Sequence, residues 1–133
     1  MIYVFDSSAV IALFRDEPGY DRVENILYDD KNQCFIHAIN LCEIYYDSFR
    51  HKSKEYAEMV VLDLLKAGVV SREDFDPTFW RKVGRLKAVH RASLADFCGA
   101  VLTDRLDGIF LTADHHEFDK LAAESICKVE FIR

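Results

Sequence analysis

The chain has 133 residues and a formal net charge of −6, and half of its residues are hydrophobic. This length favours a single domain spanning residues 1–133, and no apolar run approaches the ~20 residues that cross a bilayer. The acidic balance argues against general electrostatic coating of nucleic acid, although it leaves room for a local basic surface. Because Asp6 interrupts the first apolar run at once, we predict no cleavable leader and expect a cytoplasmic protein with no membrane partner.

The four cysteines are isolated in the sequence. Cys34, Cys42, Cys98 and Cys127 form no C-x-x-C pair. Structural zinc sites use closely spaced ligand pairs, and disulfide frameworks belong to short secreted chains. We therefore interpret all four as buried free thiols.

Apolar runs and helix-type periodicity alternate along the chain. Residues 2–5 are apolar and rich in β-branched and aromatic types, which predicts a buried strand. Further strands are predicted at 33–37, 109–112 and 128–132, with 69–70 either a brief strand or a connector. Helices are predicted at 8–16, 20–29, 38–50, 54–67, 77–90 and 94–106, with a short one at 118–123. This alternation favours a three-layer α/β/α sandwich around a central, mostly parallel sheet of about four to five strands.

Four carboxylates fall at comparable places in this arrangement. Asp6 and Asp114 follow the ends of predicted strands, and Glu43 and Asp96 lie in the first turn or so of predicted helices. All four can face one crevice at the carboxyl edge of the sheet, where ligands bind in open α/β folds. Crowded carboxylates repel one another unless a cation is present, and Mg²⁺ and Mn²⁺ take oxygen ligands. Metal-dependent hydrolysis of a phosphodiester is the chemistry that such a site favours.

Each acid alone also has a simpler interpretation. An Asp after a strand is often a helix cap, which would account for Asp6 or Asp96, and Glu43 could be an exposed helical acid. It is the joint placement of four acids that favours a site. A haloacid-dehalogenase-like phosphatase also begins with a strand-end Asp, but it needs a second Asp two residues later, where this chain has Ser8.

Four motifs surround these acids. They are YVFDSSAVIAL at 3–13, AINLCEI at 38–44, LKAVHRASLADFCGA at 86–100 and FLTAD at 110–114. In these motifs the sequence resembles the PIN-domain family of ribonucleases, and most closely its VapC-like toxin branch. The resemblance covers nearly the whole chain, and the third motif is its most specific part.

The resemblance implies an acid-lined site that binds Mg²⁺ or Mn²⁺ and cleaves single-stranded RNA. Asp6, Glu43 and Asp96 would be the core metal-binding and catalytic acids, and Asp114 would be a fourth at a position that varies within the family. The resemblance also implies the toxin of a type II toxin–antitoxin pair, with a small antitoxin protein as its partner. A non-catalytic PIN-like module that binds RNA or acts as a scaffold is the alternative.

Hydroxyl residues and histidines accompany the acids. Ser7, Ser8 and Thr112 are candidates for holding carboxylates or waters, as in the family, although serine near a strand end is usually a cap. His115 and His116 depart from the family pattern, and we interpret them as exposed loop residues with no assigned role.

Two further surfaces are suggested by the sequence. The basic strip is the set of cationic residues in and just after the helix that precedes Asp96: Arg81, Lys82, Arg85, Lys87 and Arg91. It either guides an RNA backbone toward the acids or is a solvated helix face, and the sequence leaves both interpretations open. Aromatic residues on the early helices are more often core, but an exposed subset would suit a homodimer interface.

Overall fold

The computed structural model describes residues 1–115 and 126–133. Its strands are β1 (Ile2–Phe5), β2 (Gln33–His37), β3 (Val70–Arg72), β4 (Ile109–Thr112) and β5 (Lys128–Phe131). Its helices are α1 (Ser7–Phe14), α2 (Tyr20–Leu27), α3 (Ala38–His51), α4 (Lys54–Lys66), α5 (Pro77–Val89) and α6 (Leu94–Leu106). The five strands form one sheet in the order β3-β2-β1-β4-β5, and every neighbouring pair is parallel.

Both faces of the sheet are buried against helices. Because side chains alternate along a strand, Tyr3 and Phe5 pack into one core while Val4 packs into the other. The first core includes buried residues of α1, α2, α3 and α4, and the second includes those of α5 and α6. The three-layer α/β/α sandwich predicted from the sequence is confirmed.

The strand order creates a reversal beside β1. The chain steps from β1 to β2 and β3 on one side, and then crosses back to place β4 and β5 on the other. Parallel crossovers are right-handed, so opposite directions of travel put the connecting helices on opposite faces. The carboxyl ends of β1 and β4 flank this reversal, and such a point is where open α/β sheets bind ligands.

The element boundaries agree closely with those predicted. Asp76 caps α5 ahead of Pro77, and Ser93 caps α6. The segment at 69–70 leads into a true strand, β3, and the helix predicted at 118–123 lies outside the described residues. All four cysteines are free thiols, but only Cys34 and Cys98 are buried. Cys42 is exposed and Cys127 is half-buried, so the expectation that all four are buried is wrong for those two residues. In the part of the chain that is described, no helix is long and apolar enough to cross a membrane.

Candidate active site

Asp6 leaves the end of β1 and is almost completely buried, with 3% of its surface exposed. Its Oδ2 accepts hydrogen bonds from Ser8 Oγ at 2.6 Å and from Thr112 Oγ1 at 2.7 Å. Its Oδ1 accepts one from the Ser7 backbone N–H at 2.9 Å, which also makes Asp6 the N-cap of α1. The register of β1 with β4 sets Phe5 against Leu111, so the next residues, Asp6 and Thr112, meet at the same edge. This carboxyl group is therefore held both by the start of α1 and by the end of β4.

Glu43 reaches the same region from α3. The Ser7 hydroxyl donates a hydrogen bond of 3.0 Å to Glu43 Oε1. Ser7 thus contacts Asp6 through its backbone N–H and Glu43 through its side chain. One residue at the start of α1 consequently orients two of the four acids.

Asp96 enters from the first turn of α6, and 8% of its surface is exposed. The Ser93 N–H donates to Asp96 Oδ2 at 3.0 Å, and the Asp96 N–H donates to Ser93 Oγ at 3.1 Å. This reciprocal pair is a capping box. The cap interpretation is therefore correct for Asp6, the N-cap of α1, whereas Asp96 is the partner of the Ser93 cap in the first turn of α6, and both carboxyl groups are buried.

Asp6 acts electrostatically on both of the other core acids. Burial raises the pKa of Asp96 to about 7, and the charges of Asp6 and Glu43 add to the rise. Burial also raises the pKa of Glu43, with a further contribution from Asp6. The pKa of Asp6 is raised by burial and by Asp114, against the lowering effect of its hydroxyl donors. The structure thus brings Asp6, Glu43 and Asp96 into one electrostatic environment, with Asp114 acting on Asp6.

Asp114 and the adjacent histidine lie beyond the end of β4. The Asp114 N–H donates to Thr112 Oγ1 at 3.0 Å, so Thr112 links this backbone to Asp6. The ring of His115 stacks on Phe131 at a centroid distance of 3.9 Å, and its Nε2 lies 2.6 Å from the Arg133 carbonyl oxygen. His115 is exposed as predicted, but these contacts give it a packing role against β5. His116 lies outside the described residues.

Asn40 is a buried polar residue at this site that sequence reasoning missed. It lies one turn before Glu43 on α3, and its Nδ2 donates to the Ala95 carbonyl at 3.3 Å. Ala95 immediately precedes Asp96, so this bond joins the two helices that carry acids. Asn40 Oδ1 is buried and has no hydrogen-bond partner among the described residues. The signal available in the sequence was a polar residue three positions before Glu43, on the same helix face.

The donor set suits a hard divalent cation. Carboxylate oxygens are the ligands that Mg²⁺ and Mn²⁺ prefer, and a cation would relieve the burial and mutual repulsion that raise these pKa values. Within residues 1–115 and 126–133, no three His, Cys, Asp or Glu side chains lie close enough together to hold a metal ion.

A comparison with models of protein families identifies the family of this chain. The family model described as PIN domain matches residues 3–124. The chain belongs to the PIN domain family. The PIN match includes all four acids, Asp6, Glu43, Asp96 and Asp114. A comparison with curated protein sequences gives no match.

Solved structures share this PIN fold. A chain of VapBC2 from Rickettsia felis, bound to a DNA fragment from its promoter, has a TM-score of 0.72 and 19% identity, with 98% of both chains covered. A chain of DNA-bound VapBC from Salmonella typhimurium has a TM-score of 0.74 and 14% identity, covering 100% of this chain and 99% of that one. A chain of a toxin–antitoxin complex from Klebsiella pneumoniae has a TM-score of 0.72 and 12% identity, with 98% of both covered. At these identities the likeness is one of fold.

Proposed function

We propose that this PIN-domain protein is a metal-dependent endoribonuclease that cleaves single-stranded RNA. The observation that carries the proposal is the set of three acids, Asp6, Glu43 and Asp96, which come from three separate segments. The charge of Asp6 raises the pKa of both Glu43 and Asp96, and the charge of Glu43 raises that of Asp96 as well. Perturbed carboxyl groups that share one crevice are typical of catalytic sites. Their place at the reversal of the strand order supports the same conclusion.

The biological role that we propose is the toxin of a type II toxin–antitoxin pair. Membership of the PIN domain family and the likeness in fold to chains of VapBC structures support it. The partners in this proposal are an RNA substrate, a small antitoxin protein and a second copy of the chain.

The acids would hold Mg²⁺ or Mn²⁺, which supplies positive charge that lowers the pKa of an attacking water and stabilises the phosphodiester oxygens. Hydrogen bonds within the protein orient Asp6 for this role. The Ser8 and Thr112 hydroxyls both donate to Asp6 Oδ2, whereas Oδ1 accepts only the Ser7 N–H among the described donors. A carboxylate offers about four acceptor positions, so Oδ1 keeps the greater capacity to bind a cation.

Asp96 has a further part in this proposal. Because its pKa lies at about 7, a large fraction of this carboxyl is protonated at neutral pH before any cation binds. Metal ligands must be deprotonated, so binding of a cation to Asp96 releases that proton. Affinity for the cation should therefore rise with pH through the neutral range.

The alternative is a PIN-like module that binds RNA without cleaving it. The observation that favours it is the separation of the acids, since no three of the described side chains are placed to share an ion. A protein of this kind would bind RNA equally well with and without Mn²⁺ and would never cut it. The retention of all four acids favours the nuclease.

The decisive experiment is cleavage of a single-stranded RNA by charge-removed variants. Asp6→Asn, Glu43→Gln and Asp96→Asn preserve shape and should each abolish cleavage while leaving the circular dichroism spectrum intact. Asp114→Asn should reduce cleavage less, because its charge acts on Asp6 alone among the three core acids. For a toxin, the same three changes should relieve growth arrest on expression in a bacterial host.

The control is EDTA, which must stop cleavage by the unmodified protein and so excludes a contaminating metal-independent ribonuclease. Cleavage that persists in Asp96→Asn would overturn the mechanism. If the unmodified protein binds RNA but cuts it with neither Mg²⁺ nor Mn²⁺, the non-catalytic module is the correct interpretation.

A further inference from the structure

The outward face of α5 and the turn that follows it carry the basic strip. Residues 77–93 contain five of the seventeen Lys and Arg residues of the chain and no Asp or Glu. The rest of the chain is therefore strongly acidic, because the total charge is −6. A polyanion that approached this protein would be repelled elsewhere and attracted here.

The structure divides four of the five cations into two groups, and the fifth, Arg81, lies over the Trp80 ring. Lys82 Nζ forms an ion pair with Asp104, and Lys87 Nζ donates to the Ala92 carbonyl at 3.0 Å. Arg85 and Arg91 are exposed, and neither forms an ion pair with any residue that the structure describes. Only part of the strip is thus available to an external phosphate.

An exposed aromatic ring lies on the same helix. Trp80 is the only tryptophan in the chain and is 42% exposed. The Arg81 guanidinium carbon lies 4.7 Å from the centroid of its ring. Gly84 follows one turn later, and a Cβ added there would meet nothing within 4 Å, so the surface between Trp80 and Arg85 is open.

The carboxyl-terminal end of α5 is the end that approaches Asp96. The amino-terminal part of α5 is anchored to the end of α6 by Lys82 and Asp104, and its carboxyl-terminal part is anchored by Lys87 to Ala92, just before α6 begins. Trp80 is therefore remote from Asp96, and Arg91 is near it in sequence. At a rise of 1.5 Å per residue, the helix from Trp80 to its end spans about 14 Å.

We propose that this face of α5 binds single-stranded RNA, with a base stacked on Trp80 and phosphates on Arg81, Arg85 and Arg91. Single-strand binding surfaces combine a cationic track with exposed aromatic rings, because every unpaired base has a face that can stack. In a duplex those faces are already stacked and inaccessible to an indole ring. The site rests on the proposed function for its substrate, since the same strand would continue from Arg91 to the acids.

The test uses the unmodified protein without metal, so that its outcome is independent of catalysis. In EDTA, an oligouridylate of about twelve nucleotides should quench the intrinsic tryptophan fluorescence, because Trp80 is its only source. A fully paired RNA hairpin should not quench it. Trp80→Ala should weaken binding of the labelled oligonucleotide roughly tenfold, and Trp80→Phe should restore most of the affinity.

The chain offers a matched pair of charge variants on this helix. Arg85→Gln should make the log–log salt dependence of binding shallower by ~0.7, the contribution of one phosphate contact on a single strand. Lys82→Gln removes the same charge from the same helix but should change the slope little, because Lys82 is already paired with Asp104. Equal effects of the two variants would show a diffuse charge effect and overturn the site.

Two other results would also overturn it. One is that the oligonucleotide binds the unmodified protein without quenching its tryptophan fluorescence and binds Trp80→Ala with an unchanged Kd. The other is a dimer, measured by light scattering, that Trp80→Ala dissociates and RNA does not, since this face would then belong to a second copy of the chain. If the oligonucleotide quenches Trp80 fluorescence but the unmodified protein cleaves no RNA with Mg²⁺ or Mn²⁺, the binding surface is supported and only the proposed nuclease activity is refuted.

Discussion

Ser7 and Glu43 lie 36 residues apart in sequence and are joined by a hydrogen bond of 3.0 Å from Ser7 Oγ to Glu43 Oε1. The same serine donates its backbone N–H to Asp6. It therefore couples the acid at the end of β1 to the acid on α3. A change at this one side chain should affect Glu43 while leaving the backbone donor to Asp6 in place.

Ser7→Ala should weaken Mn²⁺ binding roughly tenfold, the equivalent of one hydrogen bond to a charged group. The hydroxyl lowers the pKa of Glu43, so its loss raises that pKa further and leaves the carboxylate free to rotate. Isothermal titration calorimetry measures the Kd. Ser7→Thr keeps a hydroxyl and should bind like the unmodified protein, and an unchanged Kd in Ser7→Ala would contradict the role assigned to Ser7.

Mn²⁺ or Mg²⁺ should raise the melting temperature of the protein. Stabilisation by a ligand follows RT ln(1 + [L]/Kd), about 2.7 kcal/mol at a hundred times Kd. An Asp6→Asn, Asp96→Asn double variant should lose the shift and should be more stable without metal, because the burial of two charges is removed. Asp30→Asn, in the exposed turn before β2, is the control and should keep the full shift. A melting temperature indifferent to millimolar Mn²⁺ would count against the metal site.

The three core acids should contribute a loss of stability to the metal-free protein as the pH rises from about 4 to about 7. A carboxyl group with a higher pKa in the folded than in the unfolded state binds more protons when folded, so the free energy of unfolding falls as pH rises between the two values. For Asp96 those values are 3.8 and about 7, and the pKa values of Asp6 and Glu43 are raised as well.

Urea titrations at several pH values in EDTA measure this slope. Asp96→Asn should flatten it, because the amide does not titrate. Asp76, whose hydrogen bonds from Arg105 lower its pKa to about 2, loses its favourable interaction only below that window and does not interfere. A slope that is the same in Asp96→Asn would place the pH dependence elsewhere.

Gly99→Ala should destabilise the fold by about 1–3 kcal/mol, as overpacking of a core does. A Cβ at Gly99 would lie 2.6 Å from Phe110 Cζ and 3.2 Å from Asn40 Nδ2, so it presses on the residue that joins α3 to α6. Gly84→Ala is the matched control, since nothing lies within 4 Å of its added Cβ. That exposed helical change should stabilise by about 0.5–1 kcal/mol, and chemical denaturation of both variants measures the difference.

Local patterns in the sequence were sufficient to predict the strands and helices. The β-branched run before Asp6 predicted β1, and Asp76-Pro77 and Ser93 predicted the starts of α5 and α6. The alternation of strands and helices predicted a parallel sheet covered on both faces, which is confirmed. Each of these signals is a property of neighbouring residues, which is why sequence alone conveys it.

Contacts between distant segments were not accessible in the same way. The role of Thr112 depends on the pairing of β4 with β1, and nothing near residue 112 in the sequence records that pairing. Likewise, Lys82 and Arg85 are equivalent in a helical pattern, and only the packing of α5 on α6 pairs one of them with Asp104. In the sequence Asn40 is an ordinary polar residue, and its bond to α6 is evident only from the packing of α6 against α3.

The hydrogen bond from Thr112 to Asp6 spans 106 residues. During synthesis the first strand emerges from the ribosome long before β4 exists, and long-range pairings of this kind form late. A nascent chain that ends before Thr112 lacks a complete β4, one of the two neighbours of β1, and the Thr112 hydroxyl that donates to Asp6. The hydrogen-bonded arrangement around Asp6 can therefore form only after β4 has been translated, more than a hundred residues after Asp6 itself.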